Sequence, residues 1–285
     1  MSFGVQDVNP QVQQAINRIQ PFEKVIEVTE AAREIGYTSI NFDLIYGLPH
    51  QTPRSIRQTF TEVAALRPER IAFYSYAHLP AAFPAQKSFE RFLPQNAEKR
   101  ALYALGRELL TQLGYQEIGM DHFALPDDPL CQAKEQARLH RNFMGYTVKP
   151  SRLLLGLGSS AISDIHYAYV QNEKHVDSYR ALLRLDRSAH VKGHVMSSED
   201  IETRRLLLAL TCNGRAEWNR CYFDGLSAEA KSQLEAFRSE GLLHFSNLGI
   251  RIRPEGMAYL RNICMVFDRR LQGDAQARKR YSQSI

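Results

Sequence analysis

The chain has 285 residues, 44% of them apolar and 24% charged, with a formal net charge of +5. This profile fits a globular protein of about two domains, at roughly 100–200 residues each, and excludes a disordered or low-complexity chain. No stretch approaches the ~20 apolar residues of a membrane helix and no secretory signature opens the chain, so a cytoplasmic location is expected. The mild positive excess, part of it in 269–285, fits an anionic ligand or nucleic acid and does not choose between them.

The first predicted element is an apolar strand, "SFGV" at 2–5, with Gln6 and Asp7 at its tip. In "EKVIEVTEAAREIG" (23–36), Val25, Ile26, Val28, Ala32 and Ile35 recur near helical spacing, and Gly36 closes the helix. "INFDLIYG" (40–47) is a second strand. "TPRSIRQTFTEVAALRP" (52–68) is a second helix, with Thr52 as N-cap and Pro53 in its first turn. "RIAFYSYA" (70–77) is a third strand. This βαβαβ succession predicts parallel strands joined by right-handed crossovers. Parallel α/β folds bind ligands at the C-terminal strand ends, where Gln6, Asp7, Tyr46, Gly47, Tyr76 and His78 fall. Asp43 lies within its strand and needs a partner, from the fold or from a ligand. Three such strands make half a barrel with an open edge, so the chain is expected to start inside its fold.

"NAEKRALYALGRELLTQLG" (96–114) is a long helix ended by Gly114, and a short helix is expected around 129–138. "GLGSSA" is weak as a phosphate cradle and better suited to a tight backbone approach beside a ligand. Past about residue 197 an amphipathic helix begins, with Ser197 and Asp200 resembling a capping box. The stretch 227–268 reads as helix, hairpin, helix, its turn near Asn247 and Gly249, and resembles a winged-helix module. Because a hairpin alternates faces, Leu242, Leu243, Phe245, Ile250 and Ile252 are not all expected to point one way. A boundary is placed in 175–197, giving units 1–175 and 176–285.

Cys131, Cys212, Cys221 and Cys264 form neither CxxC nor CxxxCxxC. No metal site is therefore assigned, and reduced thiols are expected. His190 and His194 stand four apart, but Gly193 and the neighbouring valines favour a strand or turn over a helical metal pair.

Several stretches together, "SFGVQD", "NFDLIYGLPHQT", "YAHLP", "GYQEIGMDHFA", "LHRNFMGYT", "GLGSSAIS" and "LRNICMVFD", resemble the oxygen-independent coproporphyrinogen III oxidases. These are radical S-adenosylmethionine (SAM) enzymes of haem synthesis. "YGLPHQT" is shared with haem-trafficking relatives, whereas "YAHLP", "MDHFA" and "LHRNFMGYT" are more specific to the oxidases. The resemblance implies an α/β chain: the second half of a partial parallel (βα) barrel of the radical SAM type, then a mostly helical, winged-helix-like C-terminal domain. It implies oxidative decarboxylation of coproporphyrinogen III to protoporphyrinogen IX, started by a deoxyadenosyl radical from SAM and a [4Fe–4S] cluster. In the family a CxxxCxxC loop holds that cluster, and "SFGVQ" corresponds to the fourth strand. The cluster cysteines have no counterpart in 1–285, so a truncated form, inactive alone, is expected.

The resemblance also implies site residues. Gln6, Arg18, Asp43 and Ala77 match contacts to the second of two SAM molecules, and Ile162 matches a contact to the first. Arg18 taken alone would be an exposed helix residue; in the family it offers a planar fork to a methionine carboxylate. Coproporphyrinogen carries four propionates, and His122, His140 and Arg141 are the candidate substrate contacts. No catalytic residue is assigned. An electron donor is implied, with a monomer expected and no membrane or nucleic-acid partner. Two alternatives remain. A haem chaperone of the same superfamily is opposed by "LHRNFMGYT". A winged-helix nucleic-acid binder is opposed by the mostly apolar "GMAYLRNICMVFD".

Overall fold

The computed structural model describes residues 1–268 and 270. The basic run 269–285, apart from Arg270, lies outside the described residues. The chain opens with β1 (Ser2–Gln6), α1 (Pro10–Ala15), α2 (Phe22–Ile35), β2 (Asn41–Tyr46), α3 (Pro53–Leu66) and β3 (Arg70–Ser75). The three strands pair in parallel in that order. The helix boundaries follow local chemistry. Thr52 caps α3 by accepting from the Ser55 amide, Ser55 returns the bond, and α2 closes on Gly36.

Alternation along the strands divides the sheet into two faces. Phe42, Leu44 and Tyr46 of β2, with Ile71 and Phe73 of β3, pack into the main core beneath the helices. Asn41, Asp43 and Ile45 are half-buried on the opposite, more polar face. α4 (Asn96–Gln112) follows and packs beside α3.

The sheet then departs from the all-parallel expectation. β4 (Gln116–Gly119) and β5 (His122–Ala124) form an antiparallel hairpin, and β5 pairs with β3, giving the order β1-β2-β3-β5-β4. Next come α5 (Pro129–Glu135) and a hairpin of β6 (His140–Asn142) and β7 (Gly145–Thr147). β8 (Ile162–Asp164), β9 (Ala168–Asn172), α6 (Val176–Arg184) and β10 (His190–Val195) then supply an antiparallel sheet ordered β10-β9-β8. His190 and His194 thus lie on a strand, as their flanking residues predict.

The C-terminal part contains α7 (Ser198–Asn213), β11 (Arg215–Glu217), α8 (Arg220–Asp224), α9 (Ala228–Ser239), β12 (Leu243–Ser246), β13 (Gly249–Ile252) and α10 (Leu260–Met265). Ser197 and Asp200 form the expected capping box of α7. The expected hairpin is β12–β13, and β11, not foreseen, makes it a three-stranded sheet ordered β11-β13-β12. Leu243 pairs with Ile252 and Phe245 with Ile250, so these four share one face; Leu242 precedes the strand. They join Leu206, Leu210, Trp218, Leu234 and Ile263 in a second apolar cluster, separate from the main core. A third, smaller cluster brings Ile118, Cys131, Leu139 and Tyr146 against Cys212 of α7. Among the described residues no helix is long and apolar enough to cross a membrane.

Candidate functional site

One row of residues crosses the main sheet on its polar face. Gly4 pairs with Asp43, Asp43 with Ala72, and Ala72 with His122. Gln6 ends β1 with a left-handed φ of 65°, where the register to β2 shifts. That kink folds its side chain back over Gly4. A Cβ on Gly4 would lie 2.6 Å from Gln6 Nε2 and 3.1 Å from an Arg18 Nη. Arg18 follows the end of α1, and its guanidinium donates to the Gly4 carbonyl at 2.8 Å. The Arg18 loop is fastened by Gln13, whose amide donates to the carbonyls of Asp7 and Gln20, both at 2.9 Å.

Asp43 accepts from Asn41 Nδ2 at 2.8 Å and from Ser2 Oγ at 3.4 Å. Burial raises its pKa, and these two donors oppose the shift. Gln6, Arg18 and Asp43 therefore surround one glycine. Ala77 lies just past β3, and its carbonyl accepts from Gln86 Nε2 at 3.2 Å. Ile162 belongs to the separate sheet, in β8.

Asp7, also at the β1 tip, is fully buried. It accepts from the Asn9 amide at 2.7 Å, Gln51 Nε2 at 2.6 Å and Thr59 Oγ1 at 3.3 Å. Burial raises its pKa against all three donors. Gln51, from "YGLPHQT", also closes its own loop by donating to Ile45 O and accepting from Leu48 N. These residues organise the strand ends and are not themselves presented to a ligand.

The substrate candidates divide. His140 and Arg141 are neighbours on β6, so their side chains take opposite faces. His140 is influenced by Arg204 and Asp164; burial first, then Arg204, lowers its pKa. Arg141 is 5.6 Å from the Tyr146 ring centre, and the His122 ring lies 5.2 Å from the same ring. The β6–β7 hairpin closes over His122 at Gly145, whose φ of 134° suits glycine and where a Cβ would lie 3.3 Å from His122 Nε2. Tyr74 Oη is 3.4 Å from His122 Nε2. Sequence reasoning missed Tyr74, although period-two counting along β3 places it on the same face as Ala72.

Burial, then Arg141, Arg70 and Arg261, pull the His122 pKa down from 6.5 to about 4. The unfolded chain therefore binds more protons than the folded one between these values, and stability falls as pH drops through that window. Taken alone, His122 is expected to cost up to roughly 3 kcal/mol at the acid end. Urea unfolding at pH 7 and pH 4.5 checks this: His122→Gln should lose less stability on acidification than the parent, and an equal loss would reject it.

Cys131, Cys212 and Cys264 are buried and Cys221 is exposed. Burial pushes the thiol pKa of Cys131 and Cys212 upward and that of Cys264 to about 12. Among the described residues no group of three His, Cys, Asp or Glu side chains could hold a metal ion.

The family model of the radical SAM superfamily matches residues 1–63, the stretch that contains Gln6, Arg18 and Asp43. The solved structure of coproporphyrinogen III oxidase from Escherichia coli, a radical SAM enzyme, superposes with a TM-score of 0.86 at 40% identity, over 94% of this chain and 64% of that one. The family model and the superposition place the chain in the radical SAM class. The oxygen-independent coproporphyrinogen III oxidase of Salmonella typhimurium is 41% identical over 283 residues, covering 97% of this chain and 62% of the relative. That of Thermostichus vulcanus is 38% identical over 280 residues, covering 95% of this chain and 86% of the relative. The chain belongs to the oxygen-independent coproporphyrinogen III oxidase family. It spans about three fifths of the length of the Salmonella relative (62%).

Proposed function

We propose that this chain serves the oxygen-independent oxidative decarboxylation of coproporphyrinogen III to protoporphyrinogen IX by holding SAM against the polar face of its sheet. The convergence of Gln6, Arg18 and Asp43 on Gly4 carries the proposal. Arg18 offers N–H groups to the methionine carboxylate of SAM. Asp43 accepts from ribose hydroxyls or an ammonium, and Gln6 can donate and accept. Ala77 and Ile162 contribute backbone groups and apolar contact. When bound, SAM supplies the group that removes hydrogen from a propionate side chain. The residues of the chain orient it and keep water from the reacting atoms.

The cysteines do not fit a [4Fe–4S] cluster. They sit on α5, α7, α8 and α10, three are buried, and burial holds those three thiols protonated. No cluster chemistry is assigned to residues 1–285. Anaerobic reconstitution with iron and sulfide is therefore expected to give no cluster absorbance and no 5′-deoxyadenosine; either product would overturn this part.

The proposal extends to the finer architecture. We take β1–β3 as the second half of a partial barrel and α7–α10 with their sheet as winged-helix-like. Two units, placed from the sequence at 1–175 and 176–285, are supported by the separate main and C-terminal apolar clusters, although the small cluster around Tyr146 and Cys212 joins them. The β9–β10 ladder crosses position 176 and favours a cut near 196–198. Limited proteolysis should release the C-terminal unit there, whereas cleavage scattered through 227–268 would count against it. A cytoplasmic monomer that draws on an electron donor and binds no nucleic acid belongs to the same proposal.

Calorimetric titration with SAM tests the site. Gly4→Ala is expected to weaken binding about tenfold or more, because its Cβ must displace Gln6 and Arg18. Unfolding temperature should change little, since the obstructing atoms end flexible side chains. Arg18→Ala should remove a charge-assisted bond of about 1.5–3 kcal/mol. If SAM does not bind the parent, or binds both variants as tightly, the proposal fails.

A further inference from the structure

We propose that Arg141 and His122 form a carboxylate subsite on the polar face of the sheet. On the function proposed above, its occupant is one propionate of the substrate; the subsite itself rests on geometry. Three other arginines that are partly buried each meet a carboxylate, Arg70 with Asp128 at 2.8 Å and Arg107 with Glu117 and Arg204 with Asp164 both at 2.6 Å, and the more exposed Arg261 meets Asp121 at 2.6 Å. Arg141 is different. Its Nε is buried without a hydrogen-bond partner, as is that of Arg107, but Arg107 has Glu117, whereas among the described residues no carboxylate lies within ion-pair distance of Arg141. His122 Nδ1 is likewise buried and unpartnered.

Leaving such donors unmet costs free energy, most of all for a cation. A carboxylate held between Arg141 and His122, which both lie against the Tyr146 ring, would meet both donors. In the tautomer where Tyr74 Oη donates to His122 Nε2, the proton of the neutral imidazole sits on Nδ1 and His122 presents a donor to an anion. The charges facing His122 are those of Arg70, Arg141 and Arg261; Asp121, the neighbouring acid, is engaged by Arg261. Tyr74 and Tyr146 complete the walls. Arg70 and Arg261 are already paired with Asp128 and Asp121, so the uncompensated charge beside His122 is that of Arg141, which an anion would balance.

The location relates this subsite to the proposed SAM site. His122 and Asp43 occupy one row, with only the methyl group of Ala72 between them. Two strand spacings separate them, roughly 10 Å. A carboxylate bound beside His122 therefore lies on the same face of the sheet as Asp43, within reach of a ligand that also touches Gln6 and Arg18. His140 takes no part, because it faces the Arg204–Asp164 pair.

The test follows the imidazole signals of His122 by NMR in protein carrying labelled histidine, with His122→Gln to assign them. Sodium propionate is titrated against a sodium chloride control of equal ionic strength. Propionate is expected to shift the His122 signals and raise its pKa, since a bound anion favours the imidazolium. Arg141→Met, which keeps the side-chain bulk without the charge, should weaken this response at least tenfold, and Arg141→Lys should restore part of it. If propionate leaves His122 unchanged in the parent, or Arg141→Met responds like the parent, the subsite is rejected. Coproporphyrin III, the stable oxidised macrocycle, is titrated in parallel by fluorescence. A propionate response without tighter coproporphyrin binding upholds the subsite and counts against the proposed substrate.

Discussion

Phe73→Ala is expected to lower the unfolding free energy by about 3–5 kcal/mol, the largest single loss in the main core. Phe73 lies in the middle of β3 and is 1% exposed. Its ring centre is 4.8 Å from that of Tyr46, 5.5 Å from Phe60 and 6.4 Å from Tyr103. These partners are large rings on three different elements, so they cannot collapse together to fill the cavity. The opposite change probes the same contact. Gly106→Ala in α4 should gain about 1 kcal/mol of helix propensity. Its Cβ, however, would lie 2.2 Å from Phe73 Cε1, and overpacking typically costs about 1–3 kcal/mol. The steric cost should win, so Gly106→Ala should also destabilise. Urea unfolding with an unchanged denaturant slope measures both, and a neutral Phe73→Ala would show that the strand is not packed as described.

The second large effect is expected at Arg204→Met, a loss of about 3–5 kcal/mol. Arg204 on α7 meets Asp164 on β8 with two parallel bonds of 2.9 and 2.6 Å. Asp164 is 6% exposed. Removing the guanidinium leaves a buried carboxylate without its counter-ion, which costs more than the intact pair contributes. Adding Asp164→Asn should therefore recover much of the loss, because the neutral amide can still accept the His166 amide bond now made by Asp164 Oδ1. A double-mutant cycle by urea unfolding measures the coupling, and additive losses would contradict it. As the pair joins α7 to the β8–β10 sheet, Arg204→Met should also hasten proteolytic release of the C-terminal unit.

The legible parts of the fold were those with long local signals. β1, β2 and β3 show as apolar runs separated by two helices whose caps, Thr52 and Gly36, lie in the sequence itself. β4, β5, β6, β7 and β8 have three or four residues each, too short for periodicity to register. Their pairing is imposed by neighbours, as where β5 adds antiparallel to β3. β11 escaped for the same reason. At the site, Gln6, Arg18 and Asp43 came through family resemblance. Their meeting around Gly4 depends on the kink at Gln6 and on the Gln13 amide that fastens the Arg18 loop, and neither has a sequence signature. The grouping of His140 with Arg141 followed their adjacency in the chain, whereas strand alternation separates them. Tyr74 joins His122 only through the β3–β5 register, which no local pattern encodes.

The buried Asp7 has a consequence for motion. Segments beside ligand sites commonly open locally, at far less cost than the whole fold. Here the turn after β1 is tied through one carboxylate to Asn9, to Gln51 beyond β2 and to Thr59 on α3. Freeing that turn means breaking bonds to two other elements inside the main core. The Asn9 amide should thus exchange with deuterium only when the entire α/β core opens. A backbone held this still has little freedom left to lose, so a ligand seated on Gln6 and Arg18 meets a floor already in its bound shape, and little of its binding free energy goes into ordering the protein.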